Sequence, residues 1–288
     1  MSTRTAPTFT TLIRAAELAE LQRSDGPAPV VLDVSFDLGD TGSGERRFAL
    51  EHVAGSLYVH LDRDLCAAKT GRNGRHPLPD RAAFARTVGA LGIGPDTQVV
   101  TLDAQGGMYA ARLWWMLKWL GHDAAAVLDG GLNAWREHGG AIDAVPSLPV
   151  AQPPYPERPA LVASVDADGV AGRGADVAVL DARAPERFRG EVEPIDAVAG
   201  HIPGALDRFH KNNLDASGRF KPAAVLRAEF TAQLGTRAAA EVIHSCGSGV
   251  TACHNLLAMA HAGLEGSRLY PGSWSEWSSD PARPVARG

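Results

Sequence analysis

Cysteine is scarce in this chain, three residues in 288. That scarcity argues against a disulfide-built scaffold and for a reducing compartment, the cytoplasm being the expected location. Long apolar runs are missing, and no stretch approaches the roughly 18 residues of a membrane span. The opening segment MSTRTAPTFTTLIRAAELAE lacks the apolar core of a secretory signal. Charge of one sign is lacking too. Twenty-eight basic against 33 acidic residues leave a net charge of −5, which is no electrostatic footprint for nucleic acid. What remains is an ordinary globular mixture, 45% apolar and 21% charged, which excludes wholesale disorder and a coiled coil. Its length favours two domains.

The two domains are visible as a repeat. Val30-Val31-Leu32-Asp33-Val34 recurs as Val177-Ala178-Val179-Leu180-Asp181-Ala182. Glu51-His52-Val53-Ala54-Gly55 pairs with Gly200-His201-Ile202-Pro203-Gly204. Leu128-Asp129-Gly130-Gly131-Leu132-Asn133-Ala134-Trp135 pairs with Tyr270-Pro271-Gly272-Ser273-Trp274-Ser275-Glu276-Trp277. The shared offset is about 145 residues, too long for a solenoid period. Pro146 to Pro156, rich in proline, reads as an extended connector.

Short apolar runs alternate with helical stretches in both halves. Val30–Val34, Gln98–Leu102, Ala125–Leu128, Ala178–Asp181, Glu241–Ser245 and Arg268–Tyr270 read as buried strands. Met108–Leu120, Pro222–Leu234 and Val250–Ala262 read as helices. The alternation implies α/β units, each a mainly parallel sheet with helices on both faces. Chemistry in such sheets sits beyond the carboxyl ends of the strands. Asp33, Asp103, Asp181 and Cys246 fall there.

Cys246 has the most informative surroundings. A strand ends at it, Gly247-Ser248-Gly249 forms a tight turn, and a helix begins near Val250. The glycines let successive amide N–H groups turn inward as an anion-binding nest, to which the helix N-terminus adds positive charge. A thiol at that focus is expected to react as the thiolate, although a free cysteine is more commonly a small buried residue. Cys253 lies about 10 Å further along the helix, too far to pair without unwinding the turn. It reads as a core residue, and Cys66 as an incidental loop residue. Gly247-x-Gly249-x-x-Ala252 also matches a loose dinucleotide fingerprint, so a nicotinamide-dependent oxidoreductase is an alternative. That fingerprint wants a carboxylate at the next strand end, where Tyr270-Pro271 stands. A cysteine phosphatase would need an arginine where the chain has Ala252.

Three segments carry a resemblance: Cys246-Gly247-Ser248-Gly249-Val250-Thr251-Ala252, Gly200-His201-Ile202-Pro203-Gly204-Ala205, and Tyr270-Pro271-Gly272-Ser273-Trp274-Ser275-Glu276-Trp277. With them the chain resembles, from Val30 to about Pro284, the tandem-domain rhodanese and 3-mercaptopyruvate sulfurtransferases. Pro271 stands where the family usually has an acidic residue. The resemblance implies an N-terminal rhodanese-like domain over 8–145, catalytically inactive, with Asp103 in the place of the cysteine. A linker over 146–160 and a catalytic domain over 161–288 follow. Gly106–Gly107 then reads as a remnant of the reactive loop that binds nothing.

The chemistry implied is transfer of a sulfane sulfur from 3-mercaptopyruvate, or from thiosulfate, through a Cys246 persulfide held by the amides of residues 247–251. The acceptor would be a thiol, cyanide or a thioredoxin-like protein, and no metal or organic cofactor is expected. A non-catalytic persulfide carrier is the other alternative. The resemblance assigns the donor's anionic group to Arg187, with Arg189 a weaker candidate, and places Gly247, Gly249, Val250 and Thr251 around the donor. The second substrate arginine of the animal enzymes falls at Ile195-Asp196, where Asp196 would repel a carboxylate. The cations of the thiosulfate branch fall at Gly247 and Ser248. Arg208 or Lys211 could supply replacement charge. By the same resemblance Ser248, His76 and Asp62 form a hydrolase-like relay. His254 and His261, seven apart, read as packing or surface residues and His201 as a structural anchor. Trp114, Trp115 and Trp119 read as core.

Overall fold

The computed structural model describes residues 7–288; the first six residues of the opening segment lie outside them. The contacts divide the chain into two compact units. One runs to Leu65 and resumes over Asp80–Leu161; the other joins Cys66–Pro79 to Val162–Gly288. Loop 66–79 therefore belongs with the second unit rather than with the elements that flank it in sequence.

Each unit is built on a five-stranded parallel sheet among the described residues. In the first, the order is Leu12–Ile13, Ala125–Leu128, Val99–Leu102, Val30–Asp33 and Leu57–Tyr58. The three central strands are the β-branched runs read from sequence, and their side chains are buried on both faces, as a covered parallel sheet requires. Val31, Val100, Leu102, Ala126 and Leu128 pack under the helices Ala15–Arg23 and Gly131–Glu137. The opposite face is closed by the helix Ala110–Leu120, to whose Ala110 carbonyl the buried Thr101 hydroxyl donates. The edge strands, two residues each, carry too little pattern to be seen in sequence.

The second sheet repeats the plan, in the order Leu206–Asp207, Ala178–Asp181, Val242–Ser245, Arg268–Leu269 and Ala163–Ser164. Val179, Ile243, Phe188, Tyr270, Trp274 and Trp277 fill one face. The helix Thr251–His261 covers the other, where the His244 ring meets Met259 Sδ at 3.2 Å. The repeat extends to side chains. His52 stacks on Phe48 and His201 on Phe188, both at 3.9 Å, and each ring Nδ1 is hydrogen bonded to that phenylalanine's carbonyl.

The proline-rich stretch after residue 145 is extended but not free. Gln152 N–H donates to the Gly89 carbonyl and Tyr155 N–H to that of Ala85, while the buried Tyr155 hydroxyl reaches His122 Nδ1 at 3.0 Å. A Cβ on Gly89 would lie 2.3 Å from the Pro153 carbonyl oxygen. That glycine is what lets the strap lie flat on its helix.

Where the second unit has Cys246, the first has a carboxylate filling the loop. Asp103 Oδ1 accepts from the amides of Gln105 and Gly107, both at 2.8 Å. Its Oδ2 accepts from those of Tyr109 and Ala110, at 2.7 and 2.9 Å. The loop that read as an empty remnant thus binds the chain's own anion and caps the following helix. Asp103→Ala strands four buried donors and is expected to cost at least about 3 kcal/mol in urea unfolding; a loss below 1 kcal/mol would mean the carboxylate is dispensable.

Two buried rings make the second unit acid-sensitive. Burial pushes His210 down to about 4 and His244 to about 3, so both are neutral in the fold while their unfolded counterparts titrate near 6.5. The unfolded chain then binds more protons below that value. Their contribution is complete above pH 6.5 and is lost as the pH falls towards 4. Between pH 7 and pH 5 each ring is expected to remove about 2 kcal/mol, read as the change in urea unfolding free energy. His210→Asn should flatten that dependence.

Candidate active site

The strand Val242–Ser245 delivers Cys246 to the carboxyl end of the sheet, where its side chain is 1% exposed. Its Sγ accepts the amide of Gly249 at 3.1 Å and that of Ser248 at 3.4 Å. The turn needs Gly249: its φ is +75°, and a Cβ there would sit 2.3 Å from the Pro271 carbonyl oxygen. The helix Thr251–His261 then starts with Val250 at its N-cap position and no side-chain cap, which leaves its positive end to the loop. Val250 and Thr251 make no hydrogen bond to the sulfur among the described contacts; they shape the loop and begin the helix.

A second segment clamps the loop from below. Trp274 N–H donates to the Cys246 carbonyl and Ser275 N–H to that of Gly247. Ser273 adopts φ +52°, the conformation that its repeat partner Gly131 reaches at +56°. A left-handed non-glycine residue is costly. Here the Ser273 hydroxyl accepts the Cys246 amide at 3.1 Å and donates to the Tyr270 carbonyl at 2.9 Å. Sequence reading missed Ser273, though the third repeat pair holds the clue, a serine standing where the first half keeps glycine.

Loop 66–79 supplies the other wall. The buried His76 ring hydrogen bonds the buried Ser248 hydroxyl, Nδ1 to Oγ, at 2.7 Å. The structure therefore brings together two of the three residues expected in the relay. Asp62 lies on the helix Leu61–Asp64 of the first unit, and its place in the relay is an expectation of the resemblance alone.

The neighbouring Arg75, which sequence reading passed over in favour of His76, is held through its amide by Ser275 Oγ at 2.9 Å. Its guanidinium pairs with Asp196 at 2.6 Å. Arg187, on the short helix Pro185–Phe188, pairs with Glu193 at 2.7 Å and with the same Asp196 at 3.2 Å. Burial opposes the charge on Glu193, yet Arg187 and nearby amides hold its carboxyl below the usual range. Asp196 thus bridges two arginines. Behind them lies buried Arg183, locked on Asp181 at 2.7 Å and stacked over Trp274 at 4.9 Å. Burial disfavours its charge, but Asp181, Glu193 and the Cys246 sulfur raise its pKa above the ordinary value. Arg189 pairs with Glu191 at the surface. Arg208 is occupied by Asn213 and Glu229 and stacks over Phe230, and Lys211 is exposed. The charge of Arg208 is thus paired with Glu229, and the side chain that shares Asp196 with Arg187 is Arg75.

Other residues fall outside the loop. Cys253 is buried and its thiol donates to the Gly249 carbonyl at 3.3 Å; Cys66 is half-buried. His254 is buried against Phe220, while His261 is half-exposed and burial lowers its pKa. Trp114 and Trp115 are core, and Trp119 lies partly buried under Arg81. Among the described residues no group of three or more His, Cys, Asp or Glu could hold a metal ion, and no helix is long and apolar enough to cross a membrane.

A buried thiol at a strand end, facing amides and a helix N-terminus on a repeated parallel α/β unit, defines a class of domain that comparison with known proteins identifies. Residues 14–138 and 167–280 each match the Rhodanese-like domain family, and the chain belongs to that family with two copies of the domain. It is 46% identical to the "Probable 3-mercaptopyruvate sulfurtransferase" of Pseudomonas aeruginosa, over 96% of this chain and 98% of that one. It is 32% identical to the thiosulfate sulfurtransferase of Bos taurus, over 93% and 92% of the two chains. The solved 3-mercaptopyruvate sulfurtransferase from Leishmania major superposes with a TM-score of 0.82 at 29% identity, covering 93% of this chain and 74% of that one. Like these relatives, the chain is a sulfurtransferase enzyme, which displaces the nicotinamide reading.

Gly249→Ala tests the loop geometry. The added methyl group has to displace the Pro271 backbone or turn the Gly249 amide away from Sγ. A misplacement on the ångström scale is expected to lower kcat/KM for sulfur transfer by about 100-fold. Steady-state kinetics on folded protein measures it, and an unaffected rate would mean that the loop does not need that amide.

Proposed function

We propose that the chain moves a sulfur atom from 3-mercaptopyruvate, with thiosulfate as a poorer donor, to a thiol, cyanide or thioredoxin-like acceptor. The catalytic domain is residues 161–288 with loop 66–79 added. Residues 8–145 form an inactive counterpart, and 146–160 join the two. Cytoplasm is the proposed location, which suits three free cysteines. The observation that carries the donor choice is the Ser248–His76 hydrogen bond beside Cys246, because a keto-acid donor needs a proton source that thiosulfate does not.

The proposed steps are these. Cys246 thiolate attacks the sulfur of the donor. The donor's C–S bond breaks, and its electron pair passes into the enolate of pyruvate. Ser248, backed by His76, protonates that enolate or polarises its carbonyl as it forms. The transferred sulfur stays on Cys246 as a persulfide, its charge held by the Ser248 and Gly249 amides and the uncapped helix end. An acceptor thiolate then attacks the outer sulfur and releases the Cys246 thiolate. With thiosulfate the bond broken is S–S and the leaving group is sulfite, a stable anion that needs no proton. Arg187 meets the donor's anionic group by opening from Asp196 while Glu193 keeps it in place.

Intact-mass measurement after incubation with each donor tests this reading. The wild-type chain is expected to gain one sulfur atom and Cys246→Ser none; no gain from either donor would overturn it. Ser248→Ala and His76→Ala are expected to slow loading from 3-mercaptopyruvate by 10²- to 10⁴-fold, the range of a lost general acid, while leaving loading from thiosulfate within a few-fold. An equal loss with both donors would remove the proton-donor role.

A further inference from the structure

A cavity of about 490 Å³ lies at the amino end of the second sheet, a size typical of small-molecule sites. Ala178, which begins the strand Ala178–Asp181, is in its wall, whereas Cys246 stands past the carboxyl end of the neighbouring strand Val242–Ser245. Ala178 pairs with Val242 and Asp181 with Ser245, so three residues of parallel strand, roughly 10 Å, separate the two levels. None of the residues given a role in sulfur transfer lines this cavity. Val177, Leu206, Trp277 and Pro284 supply its apolar wall. That wall is fixed: Trp277 is buried, and its Nε1–H donates to the Pro284 carbonyl at 2.9 Å.

Two arginines, Arg173 and Arg237, share the lining, and no carboxylate does. Arg173 follows the short helix Ala167–Ala171. Its Nη1 donates to the Val170 carbonyl at 2.9 Å and its Nη2 to that of Pro203, which holds the guanidinium between the helix and the Ile202–Ala205 turn. Arg237 comes from beyond the helix Ala223–Leu234. Its Nε donates to the Asp176 carbonyl at 3.0 Å and its Nη1 to that of Leu234 at 3.4 Å. All of these partners are neutral carbonyls. Burial lowers the pKa of Arg173, and no acidic neighbour offsets it. A guanidinium carries five N–H donors; each of these two spends two on carbonyls, so three remain on each. By contrast Arg283, which stacks over Trp277 at 5.0 Å, is neutralised by Asp168 at 2.8 Å. Positive charge beside an apolar wall, without a counter-ion, is where an anion gains most.

We propose that this cavity is a second ligand site, for an organic carboxylate with an apolar body. The carboxylate takes the spare N–H groups of Arg173 and Arg237, and the body packs against Val177, Trp277 and Pro284. A bare inorganic anion would leave the apolar wall uncovered, and an uncharged ring would leave both arginines uncompensated. The site is independent of the sulfurtransferase reading, because no residue of the Cys246 loop belongs to it.

Naphthoate is the probe, with naphthamide as its uncharged counterpart and inorganic phosphate as charge without an apolar body. Titration calorimetry on the full chain reads the dissociation constant. Naphthoate is expected to bind one site with a Kd below about 1 mM. Naphthamide and phosphate should bind at least about 10-fold more weakly, the loss of one charge-assisted hydrogen bond or more. Arg237→Gln should weaken naphthoate about 10-fold at unchanged melting temperature, since Arg237 is exposed; Arg237→Lys should weaken it less. Arg173→Gln should weaken it at least as much, and if that variant melts lower, Arg237→Gln decides alone. Prior alkylation of Cys246 with iodoacetamide, confirmed by mass, should leave the naphthoate Kd unchanged. Loss of binding on alkylation would put the probe in the donor site and overturn the inference. So would no binding of naphthoate below about 1 mM, an unchanged Kd in Arg237→Gln, or naphthamide or phosphate binding as tightly as naphthoate. Failure of Cys246 to load sulfur from either donor would overturn the sulfurtransferase reading and leave these expectations as they stand.

Discussion

Everything in both units turns on one electrostatic demand. A strand that ends at a tight glycine turn before a helix leaves several amide N–H groups converging on one point, and that point has to hold negative charge. The two halves answer the demand differently. In the first, Asp103 fills the point with a permanent carboxylate and saturates four amides. In the second, Cys246 presents a single sulfur to two amides, and the helix behind it has no side-chain cap. A carboxylate there is inert; a thiolate is a nucleophile, and the same amides hold the charge of a persulfide. At this duplicated position the two units differ by one side chain, a carboxylate in the first and a thiol in the second.

The loop charge is balanced by residues from far along the chain. His76 and Arg75 reach Ser248 and Gly247 across about 170 residues of sequence, and Asp196 ties Arg75 to Arg187. The arginines lie on the side of Gly247 and the hydroxyl–imidazole pair at Ser248.

Much of the fold was legible because buried parallel strands are short apolar runs and the duplication writes each of them twice. The central strands appear where the runs of valine and alanine lie, and the helices end within two residues of their expected limits. The two-residue edge strands carried no pattern. The proline-rich strap was legible as extended but not as docked, because its anchor is the absence of a side chain at Gly89. At the site, Cys246 announced itself through its glycines. Asp196 read as an obstacle to an anion, since a sequence shows its charge but not the two arginines that it bridges. Arg208 and Lys211 read as possible substitutes because they are basic and near the motif, yet one is consumed by Glu229 and the other faces solvent.

Local sequence by itself determined the duplicated α/β design, the reactive cysteine and the turn that cradles it. Periodicity, glycine placement and the strand-to-helix junction act over a few residues, and a linear reading captures them. Only the tertiary structure decided which charges meet. It carried loop 66–79 into the second unit, set His76 on Ser248 and Arg75 beside Gly247, and turned Asp196 from a repelling group into a bridge. Electrostatic partnership depends on distances of a few ångströms between side chains, and sequence separation says nothing about those distances.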